Sequence, residues 1–283
     1  MKLLHLGLIL LVGVLLIKAV DAYNKEGFDF VNDFILYSSG FFNQLNIINE
    51  IKKRNIDTIF LFHSNGPEDI FFSVLSRARN ILKMTDNEMH NFRNLFINPP
   101  NKLQQHDIEK KLDLVRIFKP TCISKKIFIP DYFNTMNGFI NKDLSFTYIG
   151  IQMGAQEKYK MWAVENFINL ADKLSLEFSN IKFVLLGSTN YEKKIADKFT
   201  RSIQTQDNVM NLCGKSNIKE LPIILNDLDL ILTNDTGTLH LAIAMGRDTV
   251  SIFGPTNPNE FGPYQDPDKH KVLSIDNSMF VKD

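Results

Sequence analysis

The chain has 283 residues, 44% of them hydrophobic and 23% charged, with 32 basic side chains against 32 acidic ones. That balance is globular and excludes a disordered or fibrous chain; the length allows one large domain or two ordinary ones. A formal net charge of zero excludes a protein built to coat nucleic acid, and any attraction to an anionic membrane must come from a local patch.

Met1-Lys2 precedes an apolar run from Leu3 to Ile17, and Val20-Asp21-Ala22 has the form of a cleavage site, so this segment reads as a signal peptide or as a buried element of a first domain. The run is short for a membrane span of about 20 residues. Phe42, Leu45, Ile48 and Ile51 recur at helical spacing. Thr58 to His63 is a short buried strand, and Ser64-Asn65-Gly66-Pro67 is a turn opening a helix with Ile70, Phe71, Val74 and Leu75 on its apolar face. Residues 87–105 read as a surface loop. Residues 106–118 read as an amphipathic helix with Ile108, Leu112 and Val115 on one side.

From residue 146 the alternation sharpens. Strands are expected at 146–153, 183–186, 209–212, 228–233 and 249–253, and helices at 164–178, 191–203, 218–226 and 237–245. Strictly alternating strand and helix means parallel strands with crossover helices, an α/β fold. Such sheets take ligands beyond the carboxyl ends of their strands. The expected division is an N-terminal domain over 1–125, a linker over 126–145 holding Pro130 and Gly138, and a C-terminal domain over 146–283.

The residues able to carry chemistry follow strands. In Thr233-Asn-Asp-Thr-Gly-Thr-Leu-His240 an apolar strand runs straight into a helix. The first turn of a helix presents free N–H groups and about half a positive charge, which suits a phosphate. Gly237 permits close approach, Thr236 adds a hydroxyl, and His240 lies one turn in; Asp235 suits sugar hydroxyls or a cation. Helix capping by Asp and Thr would account for the same octet. Lys160, with Lys158 as its rival, could neutralise a diphosphate, and Trp162, the sole tryptophan, reads as packing. Glu192, after Gly187, could accept from ribose hydroxyls. Gly214-Lys215-Ser216 resembles the end of a P-loop, but Val209 stands where the first glycine is required. No G-x-G-x-x-G follows a strand, so no nicotinamide or flavin is expected. Asn234-Asp-Thr236 matches a glycosylation triplet by coincidence. Cys122 and Cys213 are far apart and lack histidines at metal spacing, so neither a disulfide framework nor a metal site is expected.

Taken together, Gly154 with Lys160 and Trp162, Gly187 with Glu192, Gly214-Lys215-Ser216, Asp235-Thr236-Gly237 with His240, and Phe253-Gly-Pro-Thr256 resemble glycosyltransferase family 9, the lipopolysaccharide heptosyltransferases. The resemblance covers residues 146–265 strongly and residues 42–118 in architecture alone. It implies a GT-B-like fold of two Rossmann-like domains with parallel sheets, the N-terminal one incomplete. It implies inverting transfer of heptose from ADP-heptose or a similar nucleotide sugar to the lipopolysaccharide or lipooligosaccharide core (the lipid A core acceptor). No metal and no cofactor are implied. The setting would be the cytoplasm, with peripheral contact at the inner face of the inner membrane. By the same resemblance Lys160 meets the diphosphate or ribose, and Glu192 the ribose. Asp235 meets the heptose; Thr236, Gly237 and His240 meet the phosphates; and Gly214 and Lys215 line the adenine pocket.

Family members carry an N-terminal Gly-Asp loop whose Asp would serve as general base. This chain has no Gly-Asp pair, so its catalytic base is unassigned, and Asp21, Asp29 and Asp33 stand near the position only by sequence. The alternative readings are a truncated, non-catalytic ADP-sugar binder, and an exported protein whose first residues are a signal.

Overall fold

A computed structural model describes residues 41–53, 55, 58–61, 74–75, 77–83, 105–120, 123–129 and 138–274. The apolar run at 3–17, the turn at 64–67, most of the expected loop at 87–105, and Cys122 lie outside the described residues.

The first described element is helix α1 (Phe41–Lys53), followed by strands β1 (Thr58–Leu61) and β2 (Asn80–Lys83), paired in parallel with Ile59 opposite Ile81. Helix α2 (Asp107–Arg116) comes next. Beyond it run β3 (Thr147–Gln152), α3 (Val164–Glu177), β4 (Ile181–Leu186), α4 (Asn190–Ser202), β5 (Val209–Asn211), α5 (Leu221–Asp227) and β6 (Leu230–Asn234). They are followed by α6 (Gly237–Ala244), β7 (Thr249–Phe253), α7 (Pro258–Phe261) and β8 (His270–Ser274).

Strands β3 to β8 form one parallel six-stranded sheet in the order β5-β4-β3-β6-β7-β8. A parallel sheet covered on both faces needs strands apolar on both sides, hence the near-continuous runs in the sequence. Along β3, Ile149 and Ile151 join Phe167, Ala171, Phe183 and Phe199 in one cluster, against α3 and α4. Tyr148 points the other way, into Ile224, Leu225, Ile231, Leu241 and Ala242 from α5, β6 and α6. Phe167, Phe183 and Phe199 are fully enclosed; burying such a side chain stabilises by about 1.5–3 kcal/mol. The chain moves outward from β3 to β5, then returns to lay β6 on the other flank of β3. The gap between the carboxyl ends of β3 and β6 is therefore the topological switch point, where ligands bind in folds of this kind.

Helix α2 lies against this unit. Ile108 and Leu112 pack with Ile123 and Ile127 onto Leu239, Ile243 and Phe253. The expected domain boundary at 125/126 runs through that cluster. The end of the expected linker is pinned as well: Asp227 accepts the N–H groups of Phe139 and Ile140 at 2.6 and 2.8 Å, and Ile140 is buried beside Tyr148. Strand β8 carries no apolar signature because its side chains after His270 are exposed.

Candidate functional site

Five neighbouring strands deliver the expected residues to one edge of the sheet. After β5 comes Gly214, after β4 Glu192, after β3 the segment bearing Lys160, after β6 Asp235, and after β7 Thr256.

The centre is the switch point. Lys160 Nζ lies 2.9 Å from Asp235 Oδ2, and Thr256 Oγ1 donates to the same oxygen at 2.9 Å. Asp235 is buried, while Lys158 is exposed, so of the two lysines Lys160 is the one at the site. Helix α6 starts beside them. Its N-cap Thr236 makes no side-chain cap bond, because its hydroxyl is held by Thr233 Oγ1 at 3.0 Å. The first-turn N–H groups at Gly237 and Thr238 thus receive no cap from the Thr236 side chain. His240 stands in the second turn. Burial lowers its pKa against the pull of Asp235 and of Asp107 from α2.

Glu192 is structural first. Thr189-Asn-Tyr-Glu192 is a capping box, in which Glu192 Oε2 accepts the N–H groups of Ser188 and Thr189 at 2.9 and 2.8 Å. Its Oε1 accepts from the buried Gln152 amide at 2.6 Å. A carboxylate has about four acceptor positions, which leaves room for one more donor. Gly214 has φ 70° and donates its N–H to Gly187 O at 2.8 Å, tying the β5 turn to the β4 turn. Lys215 beside it is exposed.

Sequence reading missed Gln152 and Thr256 as supports of the site, and it treated Asn234 only as part of a chance triplet. Asn234 is fully buried with both ends of its amide engaged. A polar residue closing an apolar strand was the available signal at 152 and at 234. Trp162 is packed edge-on against Phe167, in line with its reading as core. Among the described residues no group of three or more His, Cys, Asp or Glu could hold a metal ion, and no helix is long and apolar enough to cross a membrane.

Helix α2 borders this edge and is fastened by a polar network. His106 caps it, its Nδ1 accepting from Ile108 N at 3.2 Å and its Nε2 lying 3.0 Å from Gly262 O. Those partners require a neutral ring with the proton on Nε2. Tyr264 stacks on His106 with ring centroids 4.4 Å apart and donates to Glu109 at 2.5 Å. Burial pushes the Glu109 carboxyl up, but hydrogen bonds from Lys125, Tyr264 and Arg116 outweigh it and bring it down to about 2.

These groups fix the pH response of folding. Burial lowers the pKa of His106, His240 and His270 below 6.5. Between their native values and about 6.5 the unfolded chain therefore binds more protons, so stability is full above that pH and falls as pH drops. The lowered carboxylates (Glu109, Asp143, Glu165, Asp266) act only below about 4.5. The urea midpoint is expected to fall from pH 7.5 to pH 5, with a shallower slope in His106→Asn, which keeps a capping oxygen. A midpoint flat across that window would contradict the assigned neutral ring.

The sequence profile described as glycosyltransferase family 9 (heptosyltransferase) matches residues 102–281. A curated relative, lipooligosaccharide heptosyltransferase 2 of Campylobacter jejuni, is 31% identical over 131 residues, covering 45% of this chain and 40% of its own length. The chain thus spans well under half the length of that relative. The crystal structure of a family 9 glycosyl transferase from Veillonella parvula superposes with a TM-score of 0.70 at 20% identity, covering 91% of this chain and 74% of that one. Escherichia coli heptosyltransferase WaaC with ADP gives 0.63 at 20% identity, covering 82% and 70%. These two likenesses are in fold, and they bear out the GT-B-like α/β class expected from the sequence. With the profile covering well over half of its residues, the chain belongs to glycosyltransferase family 9.

Proposed function

We propose that the chain transfers heptose from ADP-heptose, or a closely similar ADP-sugar, to the inner core of lipopolysaccharide or lipooligosaccharide. The observation that carries this reading is the Lys160–Asp235–Thr256 cluster facing the uncapped start of α6. It offers one cation and free N–H groups for a diphosphate, and one carboxylate for a sugar.

In the proposed reaction the acceptor hydroxyl oxygen attacks the anomeric carbon of the heptose from the face opposite the diphosphate. The bond from that carbon to the β-phosphate oxygen breaks, ADP leaves with the bonding pair, the configuration inverts, and the acceptor hydroxyl's proton passes to water, no side chain of this chain being assigned as its base. Lys160 and the N–H groups at Gly237 and Thr238 stabilise the charge gathering on ADP, an electrostatic effect that is in place before the bond breaks. Thr236 and His240 sit where they would add donors to the same phosphates. Glu192 has one acceptor position left for a ribose hydroxyl, and the Gly214-Lys215 turn would border the base. The reaction as written needs no metal. Because the acceptor carries lipid, it would proceed at the cytoplasmic face of a membrane.

Calorimetry with ADP and with ADP-heptose tests this. Both should bind the wild-type chain, and Lys160→Ala should weaken both by about tenfold or more, the value of one lost charge-assisted contact. Incubation with a heptose-free core acceptor should then yield a heptosylated product. Binding without transfer would favour the second reading, a donor-binding chain without a catalytic base, consistent with the absence of a Gly-Asp pair. No binding of either nucleotide would end both.

A further inference from the structure

Between β3 and α3 the chain makes an excursion. It leaves the sheet at Met153, passes Gly154 and Ala155, turns through a single 3-10 turn at Lys158–Lys160, and re-enters the core at Met161 before α3 begins. Its outer residues Gln156, Lys158 and Tyr159 are exposed, while Met153 and Met161 at its base are almost fully buried. Lys160 closes the 3-10 turn, immediately before the buried Met161.

One side chain closes the base. Asn234 Nδ2 donates to Met153 O at 2.8 Å on the way out, and Asn234 Oδ1 accepts from Trp162 N at 3.1 Å on the way back. Asn234 has no exposed surface, and the next residue is Asp235, whose carboxylate takes Lys160 from the 3-10 turn. Adjacent residues at the end of β6 thus hold one loop, 234 by its two backbone ends and 235 by the Lys160 side chain.

We propose that Asn234 is a positioning residue that clasps the 153–162 segment and so sets Lys160 at the donor diphosphate. The functional half of this rests on the donor-site reading given above; the clasp itself does not. The chemistry selects asparagine. The two backbone partners are a carbonyl and an N–H, so the side chain must offer one donor and one acceptor on a short stem. Aspartate would set an oxygen against the Met153 carbonyl, leucine would fill the volume and satisfy neither partner, and glutamine is a methylene too long.

The test combines amide exchange with a mutant cycle. In the wild-type chain without ligand the Trp162 amide should exchange at least about tenfold more slowly than that of exposed Tyr159, as a buried hydrogen-bonded N–H does. In Asn234→Leu it should speed up while the amides within β6 and β7 stay slow. Asn234→Leu and Lys160→Ala should each raise the Kd for ADP about tenfold, and the double variant should sit near either single one rather than at the hundredfold product, because both remove one contact. Fast exchange at Trp162 in the wild type would overturn the clasp, whether or not the leucine variant folds. So would an Asn234→Leu chain with unchanged Trp162 exchange, and a strictly multiplicative double variant would overturn its action through Lys160. Should Lys160→Ala leave ADP affinity unchanged, the donor-site reading fails, and with it the role at the diphosphate, while the exchange measurements still decide the clasp.

Discussion

Gly154→Ala is expected to cost about 3 kcal/mol of stability, since overpacking typically costs ~1–3 kcal/mol and here it also strikes a helix cap worth ~1 kcal/mol. A Cβ at position 154 would stand 2.3 Å from Glu192 Oε1, 2.4 Å from its Cγ and 2.7 Å from its Cδ. A free glutamate would swing aside, but this one is held from two sides: Gln152 binds one oxygen, and the N–H groups of Ser188 and Thr189 bind the other. Any movement that clears the methyl group therefore undoes the capping box of α4 and leaves the buried Gln152 amide short of a partner. Urea denaturation measures the loss. The mechanism predicts a sign for the double variant as well: Glu192→Ala removes the obstacle, so Gly154→Ala should add almost nothing in that background. If its cost is the same with and without Glu192, the collision is not the cause. On the donor-site reading proposed above, ADP affinity should fall in Gly154→Ala too, because Glu192 would then be displaced from the ribose.

That glycine also shows what the sequence could and could not convey. A glycine closing an apolar strand is a visible mark, and every such mark from residue 146 onward lies at the carboxyl edge of the sheet. The alternation of short apolar runs with helical spacing was legible because β3, β4, β6 and β7 are buried on both faces. Strand β8 was not legible, since at an edge its Lys271, Val272 and Leu273 face solvent. Neither was β2, four residues ending in a lysine. Helix α5 begins at Leu221 rather than 218, after a turn over 218–220 in which Asn217 and Glu220 bond each other's backbone N–H groups. The docking of α2 was out of reach for a different reason. Its spacing revealed an apolar face, but periodicity does not name the partner, and Leu239, Ile243 and Phe253 lie more than a hundred positions away. At the site the charged residues could be named from the sequence, but their division of labour could not. Glu192 carries a capping-box signature with Thr189 that fixes most of its hydrogen bonds before any ligand arrives.

Asp235→Ala should separate sugar recognition from nucleotide recognition. Asp235 Oδ2 takes both Lys160 and Thr256, whereas Oδ1 has no hydrogen bond among the described residues. The carboxylate therefore holds Lys160 where a diphosphate would later claim it, and keeps one oxygen for a hydroxyl. Removing it takes away a negative charge next to the phosphate position, so ADP alone should bind as well as before or better. ADP-heptose should lose a hydrogen bond to a charged acceptor, worth about 1.5–3 kcal/mol, and its preference over ADP should shrink by roughly 10- to 100-fold. Transfer should suffer at least as much in kcat/KM, because a sugar that is not held by its hydroxyls is not aligned for displacement. Lys160→Ala gives the opposite pattern: both ligands weaken together and their ratio is preserved. Calorimetric titration of the two variants with the two ligands distinguishes these outcomes. If Asp235→Ala weakens ADP as much as ADP-heptose, losing the hold on Lys160 outweighs the relief of repulsion, and the sugar must be read by other residues.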